Sequence, residues 1–182
     1  MKQKILIAVD LQNDFINGAL GTKEAEAIIP AVCKKINEAR AENALIFATK
    51  DTHAPNYLET REGRFLPVPH CIKGTDGWQI NAMVAESLGD AAKIIEKYSF
   101  GTMLLPDAIA EELQIKGISP KDAEIELIGL CTDICVITNA LILKARFPET
   151  DIKTDAACCA GVTPEKHLAA LETMRSCQIE IL

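Results

Sequence analysis

The chain has 182 residues, enough for one domain with a sizeable core, and we predict a single domain over residues 1–182. A formal net charge of -7 argues against a nucleic-acid partner, because phosphate binding needs a basic surface. The first residues lack the features of a secretory signal, and no apolar run approaches the roughly 20 residues that cross a bilayer. We therefore expect a cytoplasmic protein with no membrane partner, whose seven cysteines are thiols.

Apolar runs alternate with helical patterns along the whole chain. The runs predict strands at 4–9, 44–49, 92–96, 123–129, 150–154 and 178–182. The helical patterns predict helices at 22–41, 81–88, 105–115, 133–145 and 164–175. The segment 50–77, rich in proline and glycine, is predicted to be a long irregular loop, and such loops inside compact domains are usually functional.

This alternation predicts an α/β fold of three layers, a doubly wound parallel sheet of six strands with helices on both faces. Right-handed crossovers favour the strand order 3-2-1-4-5-6. Ligands of such sheets bind at the carboxyl ends of the strands, near the switch between strands 1 and 4. Asp10 ends strand 1 and Cys135 follows strand 4, so these two residues are expected to meet there.

Cys135 lies in the segment GLCTDICV, where a strand, a turn and a helix start follow one another. The free amides and positive dipole at a helix start lower a thiol pKa and favour a nucleophilic thiolate. The same amides suit an oxyanion. The alternative is that Cys135 and Cys131 are core residues that pack the helix on the sheet.

Two charged residues at other strand ends suit a thiol nucleophile. Asp10 is either a turn former or the base that takes the thiol proton and returns it to a leaving amine. Lys97 is either a solvated surface charge or a cation that lowers the thiol pKa and orients Asp10. Asp14 is interpreted as structural, and His167, in the last predicted helix, as a surface or packing residue.

The long loop carries a pattern typical of a metal site. Asp51 stands two residues before His53, His70 follows further along, and Glu62 offers another oxygen ligand. Such mixed oxygen and nitrogen ligands suit Zn²⁺, Fe²⁺ or Mn²⁺. The alternative is that both histidines cap loops or pair with carboxylates.

These three groups of residues are the Cys135 segment, the charged pair Asp10 and Lys97, and the histidine-containing loop. Together and in their order along the chain, they resemble those of the isochorismatase-like cysteine hydrolases and, within them, the nicotinamidases. The resemblance covers essentially the whole chain, from the DLQNDF segment to the GLCTDICV segment. It implies a catalytic triad of Asp10, Lys97 and Cys135, and an oxyanion hole formed by the amides of Cys131 and Cys135. A cis peptide bond is expected between Leu130 and Cys131.

The resemblance also implies a ligand set and a substrate. Asp51, His53 and His70, with Glu62 where some members use a further carboxylate, correspond to ligands of a divalent metal that holds a pyridine nitrogen. The expected reaction is hydrolysis of nicotinamide to nicotinate and ammonia through a cysteine thioester. The family also tends to form dimers and tetramers, so we expect a homo-oligomer.

The aromatic pocket departs from the nicotinamidase pattern at one position. Phe15 is placed to stack on a flat ring, but Pro67 stands where nicotinamidases often have a second aromatic wall, and Phe65 or Trp78 is the expected substitute. The alternatives are hydrolysis of another small amide or ureide, hydrolysis of a vinyl ether, and a ligand-binding or redox-sensing protein without catalysis. The vinyl-ether hydrolases of the family lack the nucleophilic cysteine, and a protein without catalysis has no need of Asp10, Lys97 and Cys135 together.

Overall fold

The computed structural model describes residues 2–182, so Met1, the first residue of the predicted domain, lies outside the described residues. The strands are β1 Gln3–Val9, β2 Leu45–Asp51, β3 Ala92–Lys97, β4 Ala123–Leu130, β5 Asp151–Ala160 and β6 Glu180–Ile181. The α-helices are α1 Asn13–Ile16, α2 Lys23–Ala41, α3 Arg61–Phe65, α4 Ala82–Leu88, α5 Leu104–Ile115, α6 Ile137–Arg146 and α7 Pro164–Ser176.

The six strands form one sheet in the order β3-β2-β1-β4-β5-β6, and every neighbouring pair is parallel. The predicted architecture and strand order are therefore confirmed. All carboxyl ends of the strands lie at one edge of the sheet, because the sheet is parallel. The central strand β1 pairs with β2 on one side and β4 on the other, so residues that follow these strands are neighbours.

Each face of the sheet is covered by its own group of helices. Alternate residues of a strand point to opposite faces, so Ile5 and Ile7 of β1 pack with α5, α6 and α7. Leu6 and Ala8 of the same strand pack with α2 and α4 on the other face. These two buried layers explain why β1 is apolar along almost its whole length.

The largest differences from the predicted elements are at three places. Strand β5 continues to Ala160, six residues beyond its predicted end, and pairs with Gly129 and Leu130 after a register shift. The loop after β2 contains the short 3₁₀ turn Tyr57–Glu59 and helix α3. The predicted helix over 133–145 starts as a π turn, Thr132–Val136, before α6. Within residues 2–182, no helix is long and apolar enough to cross a membrane.

Candidate active site

Three charged or nucleophilic side chains converge at the carboxyl edge of the sheet. Asp10 follows β1, Lys97 ends β3, and Cys135 lies in the π turn after β4. The backbones of β1 and β4 approach closely there, since a Cβ on Gly129 would lie 2.2 Å from the carbonyl oxygen of Val9. The φ of Gly129 is also +119°, so this crossing of the two strands requires glycine.

Lys97 lies at the centre of this group and is fully buried. Its Nζ lies 2.8 Å from Oδ2 of Asp10, 2.9 Å from Oδ1 of Asp51 and 3.5 Å from Sγ of Cys135. It also donates to the backbone oxygen of Ser99 at 3.0 Å. The lysine is therefore not a solvated surface charge, and it joins the base candidate, the thiol and a carboxylate of the histidine cluster.

Asp10 is held in one orientation by its surroundings. The hydroxyl of Thr49 donates to Oδ1 of Asp10 at 2.6 Å, so Oδ2, on the Lys97 side, is left to accept a proton. Asp10 is fully buried, and its φ of +47° lies in the left-handed region that non-glycine residues seldom adopt. Such strain is common where a side chain must point into a functional site.

The protonation state of the Cys135 thiol differs from the sequence-based expectation. Burial and the negative charge of Asp10 raise the pKa of Cys135 well above its ordinary value, and Lys97 opposes this only in part. Burial would lower the pKa of Lys97, but the charges of Asp10, Cys135 and Asp51 raise it, so Lys97 remains a cation. The expected lowering of the thiol pKa is wrong, because burial outweighs the cation. The thiol therefore needs a base to remove its proton. Burial raises the pKa of Asp10, which makes this carboxylate a stronger base.

The turn that carries Cys135 is fixed from both ends. The Leu130–Cys131 peptide bond is cis, as expected. The amides of Ile134 and Val136 both donate to the carbonyl oxygen of Cys131 at 3.1 Å. Asn139, fully buried on α6, donates to the carbonyl oxygen of Cys135 at 2.8 Å.

Four side chains form a compact cluster beside Lys97. One donor atom each from Asp51, His53, Glu62 and His70 lies within 4.8 Å of the other three. Nε2 of His53 is 2.9 Å from Oδ2 of Asp51 and 3.7 Å from Oε1 of Glu62. Nε2 of His70 is 3.7 Å from the same oxygen of Asp51 and 3.8 Å from that of Glu62.

These residues fit a divalent metal ion. Ligands about 2.1 Å from a tetrahedral ion are about 3.4 Å apart, close to most distances in the cluster. Nδ1 of His70 pairs with the carbonyl oxygen of Val68 at 2.8 Å, which fixes the ring and leaves Nε2 facing the cluster. Asp51 stays ionised even though burial would raise its pKa, because the hydrogen bond from His53, the nearby ring of His70 and the charge of Lys97 lower that pKa.

Asp51 joins the two groups of side chains. Its Oδ1 pairs with Lys97 and its Oδ2 with His53. The buried carboxamide of Gln12 holds the backbone of the same residue, accepting from its amide at 2.7 Å and donating to its carbonyl oxygen at 2.8 Å. The triad candidates and the metal cluster are therefore one connected structure.

A cavity of about 280 Å³ opens onto both groups. Asp51, His70, Cys131 and Cys135 line it, and Phe15 supplies an aromatic ring. The apolar part of its wall comes from Leu20, Leu66, Phe100, Leu130, Ile134 and Val162. The volume is that of a small-molecule pocket at the lower end of the usual size range.

The two residues expected to replace the second aromatic wall lie elsewhere. Trp78 is absent from the cavity wall: Nζ of Lys50 lies 3.1 Å from the centre of its ring, and its Nε1 donates to the Thr52 hydroxyl. Phe65 is 78% exposed and lines a separate, outer cavity with His53 and Glu62. Phe100 lines both cavities and is the aromatic side chain that the structure brings to the inner one.

Sequence reasoning missed the buried carboxamides Gln12 and Asn139, because an uncharged polar residue near a turn usually faces solvent.

The structural interpretation of Asp14 is confirmed. Oδ2 of Asp14 accepts from the amide of Cys71 at 2.7 Å and Oδ1 from that of Ala19 at 3.2 Å. Asp14 thus fixes the loop that carries His70.

The fold and the site define a class, the hydrolases that cleave amide carbon–nitrogen bonds with a cysteine. A family model described as the isochorismatase domain matches residues 4–182, and the chain belongs to that family. It is 28% identical over 190 residues to the nicotinamidase/pyrazinamidase of Mycobacterium tuberculosis, with 98% of each chain covered.

Solved structures give the same family relationship. The pyrazinamidase of Pyrococcus horikoshii in complex with zinc has a TM-score of 0.81 and 30% identity, covering 99% of this chain and 98% of its own. The pyrazinamidase/nicotinamidase of Streptococcus mutans has a TM-score of 0.83 and 25% identity, covering 99% and 100%. The chain is therefore a nicotinamidase-like member of the isochorismatase family and an amide hydrolase.

Proposed function

We propose that this protein is a metal-containing cysteine amidase that hydrolyses nicotinamide to nicotinate and ammonia. One observation carries the proposal: the thiol of Cys135 and two members of the metal cluster, Asp51 and His70, line the same small cavity. A molecule with a carboxamide at one end and a metal-binding ring nitrogen at the other matches these two groups of lining residues. The relatives named nicotinamidase and pyrazinamidase support the same class of substrate.

The reaction begins with proton transfer from Cys135 to Asp10. The raised pKa of the thiol means that it is protonated at rest, and the raised pKa of Asp10 makes this carboxylate a stronger base than a solvated aspartate. Lys97 stays charged and close to both groups, so it stabilises the thiolate as it forms. Sγ then forms a bond to the carboxamide carbon.

The amides of Cys131 and Cys135 hold the oxyanion of the tetrahedral intermediate, which collapses as the carbon–nitrogen bond breaks. The leaving nitrogen departs as ammonia with the proton that Asp10 received. A thioester between Cys135 and the nicotinoyl group remains. Asp10 then takes a proton from water, the water oxygen attacks the thioester carbon, and the proton returns to Sγ as nicotinate forms.

Asp51, His53, Glu62 and His70 would hold the divalent ion, with Zn²⁺ first and Fe²⁺ or Mn²⁺ as alternatives. The bound ion supplies a Lewis-acidic contact for the ring nitrogen. Phe15 packs on one face of the ring, and Phe100 with Leu66 forms the wall that Trp78 was expected to provide. Elemental analysis of the purified protein distinguishes the three metals.

A turnover assay tests the proposal. Protein loaded with zinc, iron(II) or manganese is incubated with nicotinamide, and ammonia and nicotinate are measured. We expect stoichiometric release of both products, and a loss of at least about 10³-fold in Cys135→Ala, because the nucleophile is removed. Failure of every metal-loaded form to hydrolyse nicotinamide would contradict the assignment of substrate.

A second candidate is hydrolysis of another small amide or ureide. It is favoured by the cavity wall formed by Leu66 and Phe100, because a 47% exposed Phe100 confines a ring less than a buried aromatic side chain would. The same assay with pyrazinamide and N-carbamoyl amino acids distinguishes the candidates. A higher kcat/KM for an acyclic ureide than for nicotinamide would favour the second candidate.

A cytoplasmic location and a homo-oligomeric state stay predictions. Light scattering coupled to size-exclusion chromatography measures the oligomeric state directly. A mass of one chain would contradict the expected dimer or tetramer.

A further inference from the structure

The turn that carries Cys135 is tied to helix α7 by a hydrogen bond that the reaction scheme does not use. Oγ1 of Thr132 lies 2.8 Å from Nδ1 of His167. Thr132 is fully buried and is the first residue of the π turn, directly after Cys131. A buried hydroxyl without a partner would be costly, so this bond constrains both residues.

A second contact lies beside the first. Oδ1 of Asp133 accepts from the backbone amide of Val162 at 2.9 Å. A Cβ on Gly161 would come within 2.8 Å of both that Asp133 oxygen and the amide nitrogen of His167. The segment from Gly161 to His167 therefore lies against Thr132 and Asp133, and glycine permits the close approach.

The two sides of the turn are held differently. On the α6 side, the Thr138 hydroxyl donates to the Ile134 carbonyl oxygen at 2.6 Å, and Asn139 binds that of Cys135. These donors lie within the same continuous segment as the turn. Thr132 instead binds His167 of α7 and Asp133 binds Val162 of the loop before α7, and Gly161 and Val162 of that loop also line the substrate cavity.

We propose that His167 is a positioning residue for the oxyanion hole: by binding the hydroxyl of Thr132, it fixes the turn that presents the amides of Cys131 and Cys135. This inference rests on the proposed amidase function. Two amides must both lie within hydrogen-bond distance of the same developing oxyanion, so a small rotation of the turn costs transition-state stabilisation. The nucleophile itself depends on Asp10 and Lys97, which lie on other strands.

His167 is suited to this task as a neutral side chain. Burial lowers its pKa, and the charge of Asp133 opposes the shift only in part. The neutral ring lets Nδ1 accept the proton of the Thr132 hydroxyl, while Nε2 carries the ring hydrogen. Asparagine offers an acceptor at a similar place in its side chain, whereas phenylalanine keeps the ring and loses the acceptor.

The test compares His167→Phe and His167→Asn with Leu168→Ala, a control at an exposed position on the same helix. Turnover of nicotinamide is measured together with modification of Cys135 by methyl methanethiosulfonate, a thiol reagent with no carbonyl group. We expect His167→Phe to lower kcat and kcat/KM together by about tenfold, because the interaction lost is made in the transition state. Modification of Cys135 and KM should change less than twofold, and His167→Asn should recover most of kcat.

A double-mutant comparison checks that both residues act through the same hydrogen bond. Thr132→Val combined with His167→Phe should lose no more activity than the worse single variant, because both changes break the same bond. Unchanged kcat in a folded His167→Phe, or equal losses of kcat and thiol modification, would overturn the inference. A wild-type protein that hydrolyses no amide would overturn the proposed function itself, whereas active wild type with insensitive variants would overturn this inference alone.

Discussion

Two lysines of this protein each bridge a pair of carboxylates, with nearly identical distances and different surroundings. Lys97 binds Asp10 at 2.8 Å and Asp51 at 2.9 Å at the carboxyl edge of the sheet. Lys35 of α2 binds Glu126 of β4 and Asp155 of β5, both at 2.8 Å. The side chain of Lys97 is 0% exposed, whereas that of Lys35 is 26% exposed.

The comparison indicates that burial and position at the cavity, rather than the ion pairs themselves, distinguish the proposed reactive group from a structural one. Both lysines have raised pKa values, in each case because acidic partners outweigh the effect of burial. In the Lys97 group, Nζ lies 3.5 Å from Sγ of Cys135, and burial raises the pKa of Asp10. The Lys35 group lies outside the cavity that Cys135 and His70 line.

The largest expected effect is that of Lys97→Met, with Lys35→Met as the matched control. Removing Lys97 leaves two buried carboxylates without their cation, which costs about 3–5 kcal/mol of unfolding free energy. Removing Lys35 should cost about 1 kcal/mol or less, since its pairs are partly solvated. Urea unfolding of both variants measures the difference.

The turnover and metal content of the two lysine variants test the same comparison. Lys97→Met should abolish turnover and weaken metal retention, because Asp51 loses the cation that orients it. Lys35→Met should keep both, and Cys135→Ala should keep the metal while losing turnover. Equal destabilisation by the two lysine substitutions would contradict the distinction between the groups.

A smaller effect is expected within the metal cluster, between His70→Ala and Glu62→Gln. His70 is 3% exposed and its ring is fixed by Val68, whereas the Glu62 side chain is 22% exposed. We expect His70→Ala to weaken metal affinity by more than the roughly 10–100-fold typical of losing an outer-shell partner, and Glu62→Gln by less. Competition with a chromogenic chelator measures both affinities. A larger loss of metal affinity in Glu62→Gln than in His70→Ala would contradict this order and show that the more exposed carboxylate contributes more to metal binding.

The smallest effect is a shift of the pH profile. Asp10 acts as a base only when ionised, and burial raises its pKa, so kcat/KM should rise with pH through a midpoint above the ordinary value of 3.8. The Thr49 hydroxyl stabilises the carboxylate and lowers this pKa. Thr49→Val should therefore move the acid limb to higher pH. A shift to lower pH, or none, would contradict the assignment of Asp10 as the base.

The sequence was sufficient for the features that depend on local pattern and topology. Apolar strands alternating with helices predicted the sheet and its order, and the meeting of Asp10 and Cys135 followed from the shared edge of parallel strands. The family resemblance added Lys97 to these two residues. The spacing of Asp51, His53 and His70 predicted the cluster in the same way.

The remaining features depend on tertiary contacts. Trp78 was assigned to the pocket because it is aromatic, but Lys50 of β2 occupies its ring face. The direction of the Cys135 pKa shift depends on complete burial, which a helix-start pattern does not report. Strand β5 was predicted too short because the small residues of its second half, 156–160, carry little strand propensity.

The most direct test of the account is to capture the acyl-enzyme. Metal-loaded protein is mixed with nicotinamide, quenched in acid within milliseconds, and digested for peptide mass spectrometry. We expect one nicotinoyl group on the peptide that contains Cys135, and none in Cys135→Ala. An adduct on another cysteine, or turnover that persists in Cys135→Ala, would contradict the assignment of Cys135 as the nucleophile.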